Sequence, residues 1–381
     1  MEKCKLKIIL FANTDWYLYN FRRSLAMELS SAGHDVLLIS PAGEYGELLN
    51  SLGLRWVSLP MERRSLNPLR EVKLILWLYR LLRKEQVDLI HNFTIKCAVY
   101  GSLAARLAGV FARINAVAGM GYIFTNNSLK ARLLRPVVRS LMRLALAGKH
   151  ARLVLQNPDD VALFERTQLV DSAQIRLIPG SGVDCRRFRP TVRKRVNESF
   201  RVVLAARLLW DKGIAEYVAA ARQLRATERK IDFLLAGNPD PGNPASVPEA
   251  NVKEWVEEGL IEWLGHVDDM QTLFASVDAV VLPSYREGLP KTLIEAAACA
   301  LPLITTDVPG CREVVTDKVN GLLVSARDAE ALADAIACLQ DDRKLATRLG
   351  LAAREKALQV FDERIVIERT VAVYQELIAN I

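Results

Sequence analysis

Short apolar runs alternate with amphipathic stretches along this chain, and the alternation occurs twice. In the first half, residues 6–12, 35–40, 54–58, 88–92, 112–117, 151–156 and 175–179 read as strands. Between them, residues 21–32, 68–84, 97–107, 129–147 and 158–169 repeat apolar positions at helical spacing. The second half restarts the pattern, with strands over 200–206, 231–236, 260–264, 277–282 and 302–305. Its helices are expected over 213–225, 248–258, 270–276, 292–299, 329–339, 343–358 and 365–381. Strands alternating with helices of this length predict parallel sheets covered on both faces. The break between the two series falls at 180–190, where Gly180, Ser181, Gly182 and Pro190 precede the charged run Arg193-Lys194-Arg195. A stretch rich in glycine and proline with little apolar period predicts a linker. The expected organisation is an α/β protein of two doubly wound parallel-sheet domains, 1–182 and 190–364, facing a cleft. The helix over 365–381 is placed to pack back on the first domain. Ligands of such sheets bind beyond the carboxyl ends of the strands.

Length and composition agree with two domains: 381 residues at 51% hydrophobic content are enough for two cores. The longest apolar stretch, around Leu74–Tyr79, is broken by charge well short of the ~20 residues that span a bilayer. Met1 to Lys7 runs straight into a strand pattern without a secretory signal, so the expected location is cytoplasmic. The six cysteines are scattered with no C-x-x-C pair and read as reduced thiols. The net charge of +7 is unevenly shared. Residues 1–190 carry 28 Lys and Arg against 15 Asp and Glu, a net +13, and the remainder carries a net −6. A basic half suits an anionic partner: nucleic acid, anionic lipid or a phosphorylated acceptor.

The candidate chemistry centres on Pro283-Ser284-Tyr285-Arg286-Glu287-Gly288-Leu289-Pro290-Lys291-Thr292-Leu293-Ile294-Glu295-Ala296. A strand leads into this segment, Pro283 and Gly288 break it, and Pro290 suits the start of a helix. Two carboxylates, Glu287 and Glu295, thus flank a turn between a strand end and a helix. A helix start offers free N–H groups to a phosphate, and ionised carboxylates accept well from sugar hydroxyls. The spacing alone also fits a surface loop with two unrelated glutamates. The whole segment resembles the Glu-x7-Glu signature of retaining glycosyltransferases of family 4. The resemblance implies the GT-B fold, with Glu287 on the donor sugar, Glu295 on the nucleotide ribose, and the N–H groups near Gly288 and Leu289 on the diphosphate.

Arg207 and Lys212 bracket a strand-to-helix turn ending in Gly213. Two such cations can clamp a diphosphate and offset charge on a leaving group, or stand as solvated surface charges. Their resemblance to the family's Arg-x4-Lys-Gly element implies that they hold the donor diphosphate, so Glu287, Arg207 and Lys212 form the candidate catalytic set. Gly237 ends one strand and Gly265-His266-Val267 ends another. The family resemblance implies that Gly237, His266 and Val267 border the nucleotide, although His266 also fits a plain surface histidine. The loop from Val308 to Val314 resembles one that borders the same cleft.

In the first half, Gly-x-Gly-x-x-Gly is absent, which argues against a dinucleotide cofactor, and no cofactor is expected. Asn13 lies in the loop after the first strand, and Gly119 and Gly121 form a glycine loop after another. Many family members carry His-x-His where this chain has His91-Asn92-Phe93. Phe93 replaces the second histidine, which puts a histidine-assisted mechanism in doubt; Lys96 is the nearby alternative cation. Asn13, His91, Lys96, Gly119 and Gly121 are the expected acceptor or phosphate side.

No Asp-x-Asp stands at a strand end and the four histidines are scattered, so no metal site is expected. Arg132, Arg135, Arg139 and Arg143 recur at helical spacing over 129–147, with Leu133, Leu134, Val137, Val138, Leu141 and Met142 largely opposite. Such a helix can lie on an anionic membrane or serve as an ordinary helix with a solvated basic face. The expectation is peripheral attachment to the inner membrane. The resemblance to a subgroup building bacterial surface polysaccharides implies a UDP-sugar donor, an N-acetylhexosamine, and an undecaprenyl diphosphate-linked saccharide acceptor. A GT-B sugar-nucleotide epimerase, which needs no acceptor, is the alternative enzyme. A basic nucleic-acid-binding protein is the alternative of another class, though no nucleic-acid-binding motif supports it.

Overall fold

The computed structural model describes residues 5–62, 65, 67–117, 129–191 and 199–379, without the side chains of 129–135 and 137–138. The chain divides into two compact units. One runs to Ser181 and resumes at Val366; the other is Gly182–Ile365.

The first unit is built on seven parallel strands: β1 (Lys7–Phe11), β2 (Asp35–Ser40), β3 (Arg55–Ser58), β4 (Leu89–Phe93), β5 (Ala112–Ala116), β6 (Ala151–Leu155) and β7 (Ile175–Leu177). They lie in the order β3-β2-β1-β4-β5-β6-β7. The central strands are buried on both faces, which is why they read as continuous apolar runs rather than alternating ones. The covering helices are α1 (Asp15–Tyr17), α2 (Arg23–Ser31), α3 (Gly46–Ser51), α4 (Pro68–Glu85), α5 (Ile95–Ala108), α6 (Leu129–Leu146) and α7 (Pro158–Thr167). Local chemistry sets their ends. Asn67 caps α4, its side chain accepting from Leu69 N at 3.0 Å with Pro68 in the first turn, and Asn157 caps α7 in the same way.

The second unit holds six parallel strands: β8 (Phe200–Ala205), β9 (Ile231–Ala236), β10 (Glu262–Gly265), β11 (Ala279–Leu282), β12 (Leu303–Thr306) and β13 (Leu322–Val324). Their order is β10-β9-β8-β11-β12-β13. Its helices are α8 (Ile214–Ala226), α9 (Glu249–Glu257), α10 (Met270–Ala275), α11 (Lys291–Ala298), α12 (Cys311–Val314), α13 (Ala329–Asp341) and α14 (Arg343–Lys356). The last helix, α15 (Glu363–Ile378), begins in this unit and continues into the first. There Val373, Tyr374 and Leu377 join the core formed with Leu6, Ile8 and Leu10. Glu376 anchors the helix further, accepting from Arg152 at 2.7 Å and from Arg176 Nε at 2.9 Å.

Three departures from the sequence pattern have local causes. The helix expected at 21–32 starts at Asp15, because Thr14 Oγ1 accepts from Tyr17 N at 3.1 Å, and Leu18–Arg22 is π-helical. The bulky run Trp16-Tyr17-Leu18-Tyr19, apolar at every position, hides the helical period of this start. The expected linker at 180–190 is not free chain. Val183, Cys185 and Phe188 are buried in the second unit, and Val183 N donates to Phe361 O at 2.9 Å. The short elements α3, α12 and β13 carry too few residues to show a period.

Candidate functional site

In each sheet the order of strands reverses once, between β1 and β4 in the first unit and between β8 and β11 in the second. Such switch points leave a crevice beyond the strand ends. In the second unit the loop after β8 carries Arg207 and Lys212, and the loop after β11 carries Glu287. Lys212 Nζ donates to Glu287 Oε1, and both side chains are mostly buried. Two of the three expected catalytic residues, Lys212 and Glu287, thus meet over the switch point.

The loop bearing Glu287 is braced by backbone and side-chain bonds. Tyr285 N donates to Asp211 O at 2.9 Å, Ser284 Oγ to Asp211 O at 3.0 Å, and Glu287 N to Pro309 O at 3.2 Å. The Tyr285 hydroxyl donates to Glu216 Oε1 at 2.7 Å, and the Arg327 guanidinium lies 4.7 Å over the Tyr285 ring. Two glycines permit this crowding. Gly213 has φ +74°, and a Cβ there would lie 2.1 Å from Pro283 O. Gly310 has φ +81°, and its Cβ would lie 2.5 Å from Glu287 O.

Glu295 sits in α11, whose start is tied to β8 by Thr292 Oγ1 donating to Ala205 O at 3.0 Å. The carboxylate is buried, with Lys291 Nζ 3.7 Å away. Burial pushes its pKa above the ordinary glutamate value, and Lys291 opposes the shift. Gly288 and Leu289 lie in the turn immediately before α11, both half-buried. Cys311, buried beside this site, has its thiol pushed up to about 12, mainly by burial.

Arg207 differs from Lys212. Its guanidinium is more than half exposed and donates to Asp240 at 2.9 Å, a partner that no spacing in the sequence announces. Gly237 has φ +131°, and a Cβ there would lie 1.9 Å from Ala206 O, so the residue joins two strand-end loops at close approach. Its N donates to Gly265 O at 2.6 Å, and Trp263 Nε1 donates to its carbonyl at 2.8 Å. His266 is exposed, with Nε2 3.2 Å from Asp268, while Val267 packs on the core. Gly237, Gly265 and Val267 therefore shape the strand-end surface. Around this site Glu216 and Asp240 are not announced by any spacing, since each lies far in sequence from the residue it holds.

The expected acceptor side is in the first unit, and two of its residues turn inward. His91 is buried, its Nδ1 lies 2.7 Å from the Tyr374 hydroxyl, and its ring packs 4.1 Å from Phe93. Burial, with the nearby Arg22 charge, holds its pKa well below the ordinary histidine value, so the ring is neutral. Lys96 is not a free cation at a strand end. Its Nζ donates to Glu71 at 2.9 Å and to the carbonyls of Glu62 and Ser65. Asn13 is half-buried in the loop after β1. Gly119 and Gly121 lie outside the described residues.

The arginine stripe is only partly described. Arg139 and Arg143 each donate to Thr167 O at 3.4 Å, at the carboxyl end of α7, where a cation meets unpaired carbonyls and the negative end of the dipole. The side chains of Arg132 and Arg135 lie outside the described residues. Among those described, no helix is long and apolar enough to cross a membrane.

Comparisons with known proteins agree with this architecture. The profile of the family described as "Glycosyl transferases group 1" matches residues 199–342, and that of "Glycosyl transferase 4-like" matches residues 7–157. A Campylobacter jejuni protein, the N,N'-diacetylbacillosaminyl-diphospho-undecaprenol alpha-1,3-N-acetylgalactosaminyltransferase, is 30% identical over 96% of this chain and 97% of its own length. An Escherichia coli UDP-Gal:alpha-D-GlcNAc-diphosphoundecaprenol alpha-1,3-galactosyltransferase is 25% identical over 90% of this chain and 89% of its own. The fold is shared with the Anabaena protein HepE, solved in complex with UDP and glucose, at TM-score 0.78 and 18% identity over 97% of this chain and 99% of that one. The fold and these matches define a GT-B glycosyltransferase. The chain belongs to the group 1, family 4-like glycosyltransferases.

Proposed function

We propose that this enzyme transfers an N-acetylhexosamine from a UDP-sugar to a polyprenyl diphosphate-linked saccharide, with retention at the anomeric carbon and without a metal ion. The observation that carries the site assignment is the Lys212–Glu287 pair over the β8/β11 switch point. The donor and acceptor classes are supported by the names of the Campylobacter and Escherichia relatives.

In this reading the second unit, with the expected domain 190–364 at its centre, binds the donor and the first unit binds the acceptor. Glu295 accepts from the ribose hydroxyls, and the turn at Gly288 and Leu289 presents N–H groups to the diphosphate. Arg207 and Lys212 offset the charge that develops on the leaving UDP. Glu287 orients the donor sugar. The acceptor hydroxyl attacks from the side on which the phosphate departs, so catalysis rests on positioning and electrostatics. Asn13, at the end of β1, stands on the acceptor side. The enzyme works at an anionic membrane surface, where its lipid-linked acceptor resides.

Thermal unfolding in the presence of UDP-, GDP- and dTDP-sugars tests the donor assignment, because a ligand that binds only the native state raises its stability. UDP-N-acetylhexosamines are expected to give the largest shift. A larger shift with GDP- or dTDP-sugars would overturn the assignment.

A further inference from the structure

Among the described residues of the first unit, helix α4 carries an outward face unlike any other. Its inner side is built from Leu74, Leu78 and Leu82, all buried. On the opposite side Leu69, Val72 and Leu76 are 75%, 55% and 44% exposed, an unusual display of large aliphatic groups on one helix. At helical spacing they share this face with Lys73, Arg80, Arg83 and Lys84, all exposed. The helix has two acidic residues, and neither faces outward. Glu71 is buried and pairs with Lys96 at 2.9 Å, while Glu85 pairs with Arg55 at 3.1 Å. Trp77 and Tyr79, both half-buried, flank the stripe. The face is therefore aliphatic and cationic throughout, with no acid.

Topology fixes where it lies. α4 leaves the carboxyl end of β3 and returns to the start of β4, which runs parallel to it in the sheet. Leu69, Val72 and Leu76 therefore occupy the half of the helix nearest the carboxyl ends of the strands, the edge at which ligands of such sheets bind. The basic residues Arg80, Arg83 and Lys84 follow along the same stripe. Long cationic side chains can lay their stems along an apolar surface while holding their charge at lipid phosphates, and tryptophan and tyrosine favour the same boundary. By contrast, Arg139 and Arg143 of α6, expected from sequence to meet lipid, bond to the end of α7.

We propose that the outer face of α4 is the surface by which the enzyme rests on an anionic membrane. Leu69, Val72 and Leu76 enter the headgroup region, and Lys73, Arg80, Arg83 and Lys84 meet the lipid phosphates. This rests on the reading of the acceptor as lipid-linked, and it names the part of the protein that brings the strand ends to that lipid.

Co-sedimentation of the full chain with phosphatidylcholine vesicles, with and without phosphatidylglycerol, tests the proposal without any acceptor or donor. The wild type is expected to sediment with the anionic vesicles at low salt and to be partly released at high salt. Each basic residue held near such a surface is worth roughly fivefold in partitioning, so Arg80→Gln with Arg83→Gln should weaken binding at least tenfold. Lys344→Gln with Arg348→Gln removes the same charge from an exposed helix of the second unit and should change it little. Leu69→Ser with Val72→Ser and Leu76→Ser should remove the binding that survives high salt. All these sites are exposed, so UDP protection against unfolding should be retained in every variant. The proposal falls if the wild type ignores phosphatidylglycerol, if the α4 variants sediment like the wild type, or if the second-unit pair loses as much as the α4 pair. Sugar transfer to a detergent-dispersed acceptor judges the proposed reaction separately.

Discussion

Lys212 and Glu287 stand 75 residues apart in sequence and close an ion pair over the point where the strand order of the second unit reverses. In the free protein each satisfies the other's charge. On the proposed reading a donor diphosphate arriving there would compete with Glu287 for Lys212, and this sets opposite expectations for the two residues. Lys212→Ala should weaken UDP binding and lower turnover by roughly 10²–10³-fold. Glu287→Gln should lower turnover as strongly yet bind UDP at least as tightly as the wild type, because Lys212 is then released to the phosphate. Calorimetric titration with UDP beside turnover measurements checks both, and equal weakening of UDP by both substitutions would reject the arrangement.

Glu295 is a buried carboxylate that the proposed reading assigns to the donor ribose. Its pKa is raised in the folded protein, chiefly by burial. Stability linked to a raised carboxyl is fully present below its ordinary value and lost as pH rises through the raised one. Glu295→Gln should therefore unfold at higher temperature than the wild type at pH 8, with the difference shrinking towards pH 4. The same substitution removes a charged acceptor, worth roughly 1.5–3 kcal/mol, and should weaken UDP about 10- to 100-fold. Thermal scans at the two pH values and a UDP titration measure the trade. A variant that gains stability and keeps its UDP affinity would remove Glu295 from the ribose.

His91 is linked to pH in the other direction. Its folded pKa is depressed by burial and by Arg22, so the unfolded chain takes up a proton first as pH falls below about 6.5. The stability it contributes is present above that pH and is lost progressively as pH falls towards the depressed folded value. The unfolding temperature of the wild type should drop faster from pH 7.5 to 5 than that of His91→Gln. Parallel curves would show that the ring titrates normally.

Arg207 is more than half exposed, and its pair with Asp240 adds little to stability, about 1 kcal/mol at most. Arg207→Ala should leave the unfolding temperature close to that of the wild type and still cut turnover roughly 10²-fold or more. Near-normal turnover in this variant would make Arg207 a surface cation. Strict dependence of the wild type on added Mg²⁺ would contradict the metal-independent reading.

Much of this architecture was legible in the chain because buried parallel strands write themselves as short apolar runs. Residues 35–40 and 231–236 mark β2 and β9 to the residue. The segments proposed to hold the donor stood out for a different reason. Glu287, Gly288, Pro290 and Glu295 lie close in sequence, as do Arg207, Lys212 and Gly213, so each half of the site is one motif. The bond joining the halves was not legible, since Lys212 meets Glu287 only through the order of β8 and β11. Asp240 and Glu216 were hidden for the same reason. In the first unit, Lys96 looked like a free cation because its partner Glu71 sits in another helix. His91 looked accessible because Tyr374 comes from the last helix of the chain.

The most direct measurement supplies the purified enzyme with a UDP-N-acetylhexosamine and a polyprenyl diphosphate-linked saccharide, and follows acceptor mass, UDP release and the anomeric configuration of the product. The expected result is an acceptor heavier by one sugar, UDP released in equal amount, and the donor's α-configuration retained, with EDTA present throughout. Consumption of the UDP-sugar with the acceptor unchanged, or a product of inverted configuration, would contradict it.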